Sequence, residues 1–322
     1  MTAIAVSPYH LTTREPPAMA ALLLGARVFT VMPGVMGAAG SRDSVRSTAK
    51  HSARYAALLD SWSWSMPLWR AGVIDSAHAG DDAAADLEAV WDKIAADDRY
   101  ISLRPFMHLR LESDRRQLIE AVAADVLKGG PNPAVCVPLA AGLDRFAARH
   151  RLVVARAAPT SVAQRAEALL GEPLVTTVVP LLQQATAEQM LDARRLLATP
   201  LTAWRAALAR EDGPTRSQIG DAAAALERAF PACLAQLTAT ADPSDPPIMW
   251  GPVSIAIATL PPDAVLTSSV TAAESFLRKS PSPAATSGSV ATTTLPALAD
   301  PADFTRVTTM IIKPLGRPVV AS

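Results

Sequence analysis

The sequence predicts an α+β protein that is predominantly helical, with a helix-rich core and a small mixed sheet. Apolar residues recur at helical spacing through the stretch 161–237, and short β-branched runs typical of strands occur outside it. Glycine and proline pairs separate these segments as turn signals. With 322 residues and 50% hydrophobic composition, the chain can bury the core of one large or two medium domains.

The N-terminal part predicts short strands around one buried helix. Three elements are expected in chain order: a strand over 3–6, a helix over 17–24 and a strand over 27–32. The apolar stretch 18–39 is about as long as a membrane span, but Arg27 interrupts it at a cost of roughly 2.5–3.5 kcal/mol. Gly25 and Pro33 break it further. We therefore favour no membrane span.

A polar loop is predicted directly after the first strand. It gathers Tyr9, His10, Arg14 and Glu15 between two prolines. Loops of such polar density often bind or catalyse, because a rigid scaffold can aim them, but they also often only cap neighbouring elements. His108 is a further catalytic candidate with His10, Arg14 and Glu15, although nothing in the spacing demands that these residues converge.

A one-sided basic helix is predicted within the segment 41–74. Four basic residues recur at every fourth position, and we call them the basic stripe: Arg42, Arg46, Lys50 and Arg54. Like charges at this spacing repel by roughly 0.2–0.5 kcal/mol per pair, so something must offset the repulsion. Acidic residues elsewhere in the fold or solvent would do so, and so would an acidic protein or a phosphate-containing ligand.

Tryptophans follow the basic stripe in a segment where they alternate with serine. The run 61–69 contains Trp62, Trp64 and Trp69, and its alternation together with Pro67 predicts an extended conformation. Buried tryptophans usually fill a core, whereas exposed ones stack on bases, sugars or ligand rings. Both interpretations stay open, with Trp62 and Trp64 as the binding candidates.

The middle of the chain is expected to be helical. Helices are predicted over 80–94, 113–128, 132–150 and repeatedly through 161–237. Two apolar stripes in the last stretch should bury a mutual face, one with Met190, Ala193, Leu197, Leu201, Trp204 and Leu208, the other with Ile219, Ala223, Leu226, Phe230 and Cys233. Pro200 should kink the first of these helices.

Further strands are expected after the middle of the chain, over 152–155, 248–260 and 305–312. A short helix over 271–279 and a flexible loop over 280–301 separate the last two strands, which would pair across them. We divide the chain into an N-terminal α+β region (1–157), a helical region (158–241) and a β-containing C-terminal region (242–322). A single domain is also compatible with the sequence.

Charge and motif content argue against several functional classes. Lys plus Arg and Asp plus Glu both number 30, so the net charge is zero and nucleic-acid binding is unfavoured. The two cysteines, Cys136 and Cys233, have no paired spacing, which indicates a cytoplasmic protein without a disulfide framework. No phosphate-binding glycine loop, nucleophile elbow or metal-binding histidine motif occurs, so we expect no cofactor and no metal and leave enzymatic activity open.

The leading hypothesis is an intracellular, bacterial-type binding or regulatory protein that recognises an acidic or phosphate-bearing partner through the basic stripe, beside Trp62 and Trp64. The alternative is an enzyme on a small anionic substrate, with Tyr9, His10, Arg14 and Glu15 in acid–base and charge-clamp roles. Sequence-tolerant nucleic-acid binding by the stripe is a second alternative and predicts strong salt dependence. The sequence does not set the oligomeric state.

The leading hypothesis predicts the result of a charge reversal. Replacing Arg46 and Lys50 together by Glu should abolish capture of an acidic partner in a pull-down, because the stripe would then repel that partner. Partner capture that survives the double reversal would contradict the hypothesis.

Overall fold

An eight-stranded mixed sheet is the centre of the part of the chain that the structure describes. The structure is a computed structural model, and it describes residues 2–30, 53–76, 143, 146–157, 175–210, 214–242, 244–260 and 307–321. The strands are β1 (Ala3–Val6), β2 (Arg27–Thr30), β3 (Ile74–Ser76), β4 (Val153–Ala157), β5 (Val175–Gln184), β6 (Met249–Leu260), β7 (Val307–Pro314) and β8 (Val319–Val320). Their order is β3-β2-β1-β4-β7-β6-β5, and β8 also pairs with β6.

This sheet corrects the predicted fold class. A predominantly helical α+β protein with a small sheet was expected, whereas the described residues have an α/β core built on the eight strands. The strands β3, β2, β1, β4 and β7 are parallel, and β6 is antiparallel to its neighbours β5 and β7. The strands β1 to β4 have only three to five residues each, which is too short for a clear alternation to reveal a large sheet.

The prediction of helices throughout 161–237 is wrong at β5. This strand, Val175–Gln184, pairs along most of its length with β6. Its N-terminal half is rich in valine and threonine, which favour strands because their branched side chains pack well on a pleated surface. Pro180 lies opposite Pro252, and proline is tolerated in β5 because that strand is at the end of the observed strand order.

Seven helices lie wholly within the described ranges: α1 (Pro8–Thr13), α2 (Pro16–Leu24), α3 (Ala53–Ser61), α4 (Met66–Arg70), α5 (Ala187–Leu196), α6 (Ala198–Leu208) and α7 (Arg216–Thr240). A 3₁₀ turn (Ser63–Ser65) precedes α4. The residues of α2, α5, α6 and α7 share the larger hydrophobic core with one face of the sheet. A smaller core on the opposite face contains Ala5, Val154 and Val307 with Leu143, Phe146 and Ala147.

The helix α2 explains the apolar stretch near the N-terminus. All of its residues from Pro17 to Leu24 are buried, so it is apolar on every side because protein surrounds it. It confirms the helix predicted over 17–24. No helix in the described parts of the chain is both long and apolar enough to cross a membrane.

Two arginines donate hydrogen bonds to the carbonyl groups at the C-terminus of α2. Arg194 on α5 donates hydrogen bonds to three carbonyl oxygens, those of Leu22, Gly25 and Ala26. Arg205 on α6 donates from Nε to the carbonyl oxygen of Leu24, at 2.9 Å. Gly25 is required at this crowded point, since a Cβ there would lie 2.8 Å from the carbonyl oxygen of Ala21. Burial, together with the nearby Arg205 charge, lowers the pKa of Arg194 to about 10.

The two apolar stripes predicted on the later helices are confirmed, because every residue assigned to them is buried. The helix break near Pro200 occurs at Leu197, between α5 and α6. It precedes Pro200 because a proline ring clashes with the carbonyl group of the residue four positions earlier. The predicted pairing of the last strand with 248–260 is also confirmed, since β7 is antiparallel to β6.

The sheet contains strands from all three predicted regions, with β1 to β4 from 1–157, β5 from 158–241 and β6 to β8 from 242–322. Other predicted elements lie outside the described residues, namely the helices over 80–94, 113–128 and 271–279 and the loop over 280–301.

Candidate functional site

The carboxyl ends of β1 and β4 mark the point where the strand order reverses. From β1 the chain proceeds to β2 and β3 on one side, whereas β4 lies on the other side. The helix α2 after β1 packs on one face, and the helical turn 146–149 before β4 packs on the opposite face. Ligands of open α/β sheets bind in the crevice outside the strand carboxyl ends at such a point. The chain segment that leaves β1 there is the polar segment predicted from the sequence.

That segment forms a helix, so the prediction of a loop over 9–15 is wrong in conformation. Ser7 caps the helix α1 by accepting a hydrogen bond from the backbone N–H of Tyr9, at 3.4 Å. Pro8 occupies the first helical position, where its missing N–H leaves no hydrogen bond unmade. The helix has only six residues, and fewer than two turns give no periodic signal.

His10 and Glu15 form the shortest polar contact of this segment, with 2.6 Å between Nδ1 and Oε2. The Thr13 hydroxyl donates to the second carboxylate oxygen at 2.8 Å, and the Glu15 backbone N–H donates to the His10 carbonyl at 2.9 Å. The hydrogen bond from His10 is the main reason that the pKa of Glu15 is lowered from 4.5. Glu15 is therefore an ionised acceptor, so the proton of this contact lies on Nδ1 of His10.

Arg14 lies between His10 and Glu15 in the sequence and has an unusual backbone conformation. It ends α1 in the left-handed region, with φ 52° and ψ 39°, which is unfavourable by roughly 1–2 kcal/mol for a residue with a Cβ. Its guanidinium carbon lies 4.4 Å from the centre of the Trp64 ring, a cation–π contact. Burial lowers the pKa of Arg14. Within the described part of the chain, no acceptor forms a hydrogen bond or ion pair with this guanidinium group.

The tryptophan segment lies against α1, but it is not extended as predicted. It contains the 3₁₀ turn and α4, and Pro67 lies in the first turn of α4, where a proline is tolerated. Trp62 is 2% exposed, and its Nε1–H donates to the hydroxyl of Thr12 at 2.7 Å. The rings of Trp62 and Trp69 stack with 6.5 Å between centroids. Trp62 thus fills the core and attaches this segment to α1, whereas Trp64 is half-buried.

The described structure does not test the other predicted site residues. Arg42, Arg46, Lys50 and His108 lie outside the described residues, and Arg54 lies in α3. Recognition of an acidic partner by the basic stripe therefore stays a prediction.

Two polar residues at the same sheet edge were not singled out from the sequence. Thr30 ends β2 next to Val6 of β1, and its fully buried hydroxyl has no hydrogen-bond partner among the residues that the structure describes. Arg156 lies near the end of β4, where burial of its guanidinium group lowers its pKa to about 9. The sequence contains a signal that could have identified Arg156. It is the only charged residue in the apolar run Val-Val-Ala-Arg-Ala, and charged groups are rarely buried without a reason.

The fold and this edge define an α/β protein with a histidine–carboxylate pair and an arginine in cation–π contact with a tryptophan beside the strand-order reversal. In the residues that the structure covers, no group of three or more His, Cys, Asp or Glu side chains could hold a metal ion. Comparison with known proteins gives no match, either to a protein-family model, to a curated protein or to a solved structure.

Proposed function

We propose that the protein is an enzyme that acts on a small anionic substrate at the carboxyl edge of β1. His10 transfers the proton, Glu15 orients and charges the imidazole, and Arg14 attracts the anion. The single observation that carries the proposal is the 2.6 Å contact between His10 Nδ1 and Glu15 Oε2 at the strand-order reversal. A cytoplasmic location belongs to the same proposal, because the sequence has only two cysteines and Cys233 is free and buried.

The chemistry follows from how a carboxylate acts on an imidazole. A carboxylate that accepts the Nδ1 proton fixes the tautomer, so that Nε2 has a lone pair for a substrate proton. After the transfer, the negative charge of the carboxylate stabilises the imidazolium. A positioned acid–base group of this kind contributes roughly 10²–10⁴-fold to a reaction rate.

The exposure of the pair is suitable for a reaction with a small molecule. The His10 side chain is 20% exposed and the Glu15 side chain is 42% exposed, so the pair is accessible without being freely mobile. The Thr13 hydroxyl restrains the carboxylate, and the backbone N–H of Glu15 holds the two residues together by donating to the His10 carbonyl oxygen. The Trp62 hydrogen bond to Thr12 holds α1 on the tryptophan segment. These contacts support a preorganised site on rigid elements.

Replacement of His10 by Gln should lower turnover of a small anionic substrate by roughly 10²–10⁴-fold, because the amide cannot take up the proton. Glu15→Gln should lower it by a smaller factor, since the imidazole remains but loses its orienting charge. A panel of carboxylate and phosphate ester substrates, scored for turnover by the full chain, supplies the measurement. His150→Gln is the matched control, because His150 is exposed beside Phe146 on the opposite face of the sheet.

Chemical modification tests the same assignment without a substrate. Diethyl pyrocarbonate should react with Nε2 of His10, and a bound anion should protect that atom. Mass spectrometry of the modified peptide measures the rate of His10 modification with and without the anion.

The turnover experiment decides the catalytic role. Turnover by His10→Gln equal to that of the wild-type chain would refute that role.

A further inference from the structure

We propose that the protein forms a two-fold symmetric dimer in which the N-terminal half of β5 pairs with the same segment of a second copy. The strand order ends at β5, and β6 is its one neighbour among the described strands. The dimer is supported by the uncharged composition of this segment, by its exposed side chains and by the direction of its backbone N–H groups. The candidate site follows β1 in the middle of the sheet, so this surface goes beyond the proposed enzyme.

The N-terminal half of β5 lacks the features that normally protect the edge of a sheet. Proteins blunt such edges with charged side chains, prolines or bulges, because an open edge pairs with other strands. Pro180 and the register shift after Leu182 protect the second half of β5 in this way. The first half, 175–179, reads Val-Thr-Thr-Val-Val without a charge. The side chain of Thr176 is exposed, and Val178 is 48% exposed, so this half is suited to pairing with another strand.

Two prolines of the β5–β6 pair fix which backbone groups of β5 point away from β6. Pro180 lies directly opposite Pro252, and neither has an N–H, so the two form a non-hydrogen-bonded pair. The carbonyl oxygen of Pro252 agrees, because it accepts a hydrogen bond at 3.0 Å from the N–H of Leu315, which follows β7 on the other side of β6. Since the direction alternates along a strand, the N–H and C=O groups of Thr176 and Val178 point away from β6 as well.

These backbone groups are complementary to a second copy of the same segment in one antiparallel register. With the two-fold axis at Thr177, Thr176 of each copy lies opposite Val178 of the other, and each such pair exchanges two hydrogen bonds. Every N–H of Thr176 and Val178 then has an acceptor, and Pro180 ends the pairing in both copies. An axis at Val178 would instead place Thr176 opposite Pro180, which has no N–H to donate.

The side chains of the segment favour an identical partner too. A two-fold axis brings the same patch of both copies together, so the patch must be complementary to itself. Like charges directly opposite each other destabilise paired strands, and the segment 175–179 has none. Valine and threonine pack well as cross-strand neighbours because both are branched at Cβ. A second copy of the chain therefore fits this edge.

The substitution Val178→Pro tests the dimer without removing a hydrogen bond between β5 and β6. The N–H that it removes points away from β6, and Pro180 occupies a position with the same direction in the same strand. Sedimentation velocity of the full chain over a concentration series should show a wild-type dimer. Because each dimer loses two hydrogen bonds, Val178→Pro should raise the dissociation constant by about tenfold or more. Val178→Thr is the matched control, since it keeps the N–H and the branched Cβ, and it should remain a dimer.

Cysteine cross-linking tests the register. At the two-fold axis the two copies of Thr177 form a non-hydrogen-bonded pair with about 4.5 Å between Cα atoms, a distance that a disulfide spans. Thr177→Cys should therefore give a disulfide-linked dimer under mild oxidation. Thr176→Cys is the matched control, because the two copies of that residue lie diagonally, about 7–8 Å apart, and should not cross-link. The wild-type chain under the same oxidation gives the background from Cys136 and Cys233.

Three outcomes would overturn the proposed dimer. The first is a wild-type chain that stays monomeric at every concentration, as it would if a different protein or another part of the chain covered this edge. The second is a dimer that Val178→Pro leaves intact, and the third is equal cross-linking of Thr177→Cys and Thr176→Cys. None of these outcomes bears on turnover by His10→Gln, so the dimer and the proposed enzyme stand or fall separately.

Discussion

Replacement of Arg194 by Met should lower the free energy of unfolding by roughly 3–5 kcal/mol, measured by urea denaturation monitored by circular dichroism. The substitution removes the Arg194 donors to the carbonyl oxygens of Leu22 and Ala26 and one of the two arginine donors to that of Gly25, which keeps its hydrogen bond from Arg205. A helix ends with carbonyl groups that lack an intrahelical partner, and α2 is buried, so water cannot easily replace the arginine. Each buried carbonyl left without a donor costs about 1–3 kcal/mol.

The next residue supplies a matched control for that experiment. Arg195 lies on the same helix with its side chain 67% exposed, and it pairs at 3.0 Å with Asp192. Exposed pairs of this kind contribute about 0–1 kcal/mol, so Arg195→Met should change stability little. Arg194→Lys should lose an intermediate amount, because one ammonium group cannot reproduce a planar fork of donors. If Arg194→Met and Arg195→Met lower the free energy of unfolding equally, the hydrogen bonds from Arg194 to the carbonyl groups do not account for the loss of stability.

The contacts of Arg194 also show where sequence reasoning ends. They join residues separated by 168 to 172 positions, and no local pattern encodes such a pairing. The helices α5 and α7 were predictable because their apolar stripes repeat over several turns. The strand β5 was missed because we predicted helices on both sides of it and assigned the valine-rich and threonine-rich run between them to a helix as well.

The candidate site was partly predictable because three of its residues lie close together in the sequence. His10, Arg14 and Glu15 lie within six positions, so their polar density is visible in the sequence before any folding is known. The contacts of this segment with the tryptophans depend on how β2, α3 and the 3₁₀ turn fold back, as in the hydrogen bond from Trp62 to Thr12 across 50 positions. Tertiary packing also decides that Trp62 is buried while Trp64 receives the guanidinium of Arg14.

Replacement of Trp204 by Ala should lower the free energy of unfolding by roughly 3–5 kcal/mol, because it removes a large buried ring and leaves a cavity. Trp204 is 0% exposed on α6, in a stripe with Leu201 and Leu208 that packs in the main core. Urea denaturation of the purified variant gives the value, and a midpoint equal to that of the wild-type chain would contradict the burial of this residue.

Trp204→Phe distinguishes packing from hydrogen bonding at the same position. The Nε1–H of Trp204 is buried and has no hydrogen-bond partner in the described ranges, so the indole already bears the cost of an unsatisfied donor. Phenylalanine removes that donor and keeps most of the apolar ring, and we therefore expect a loss smaller than half that of Trp204→Ala. If both variants lose the same free energy, the N–H must contribute an interaction of its own, and the core around α6 would be polar at this point.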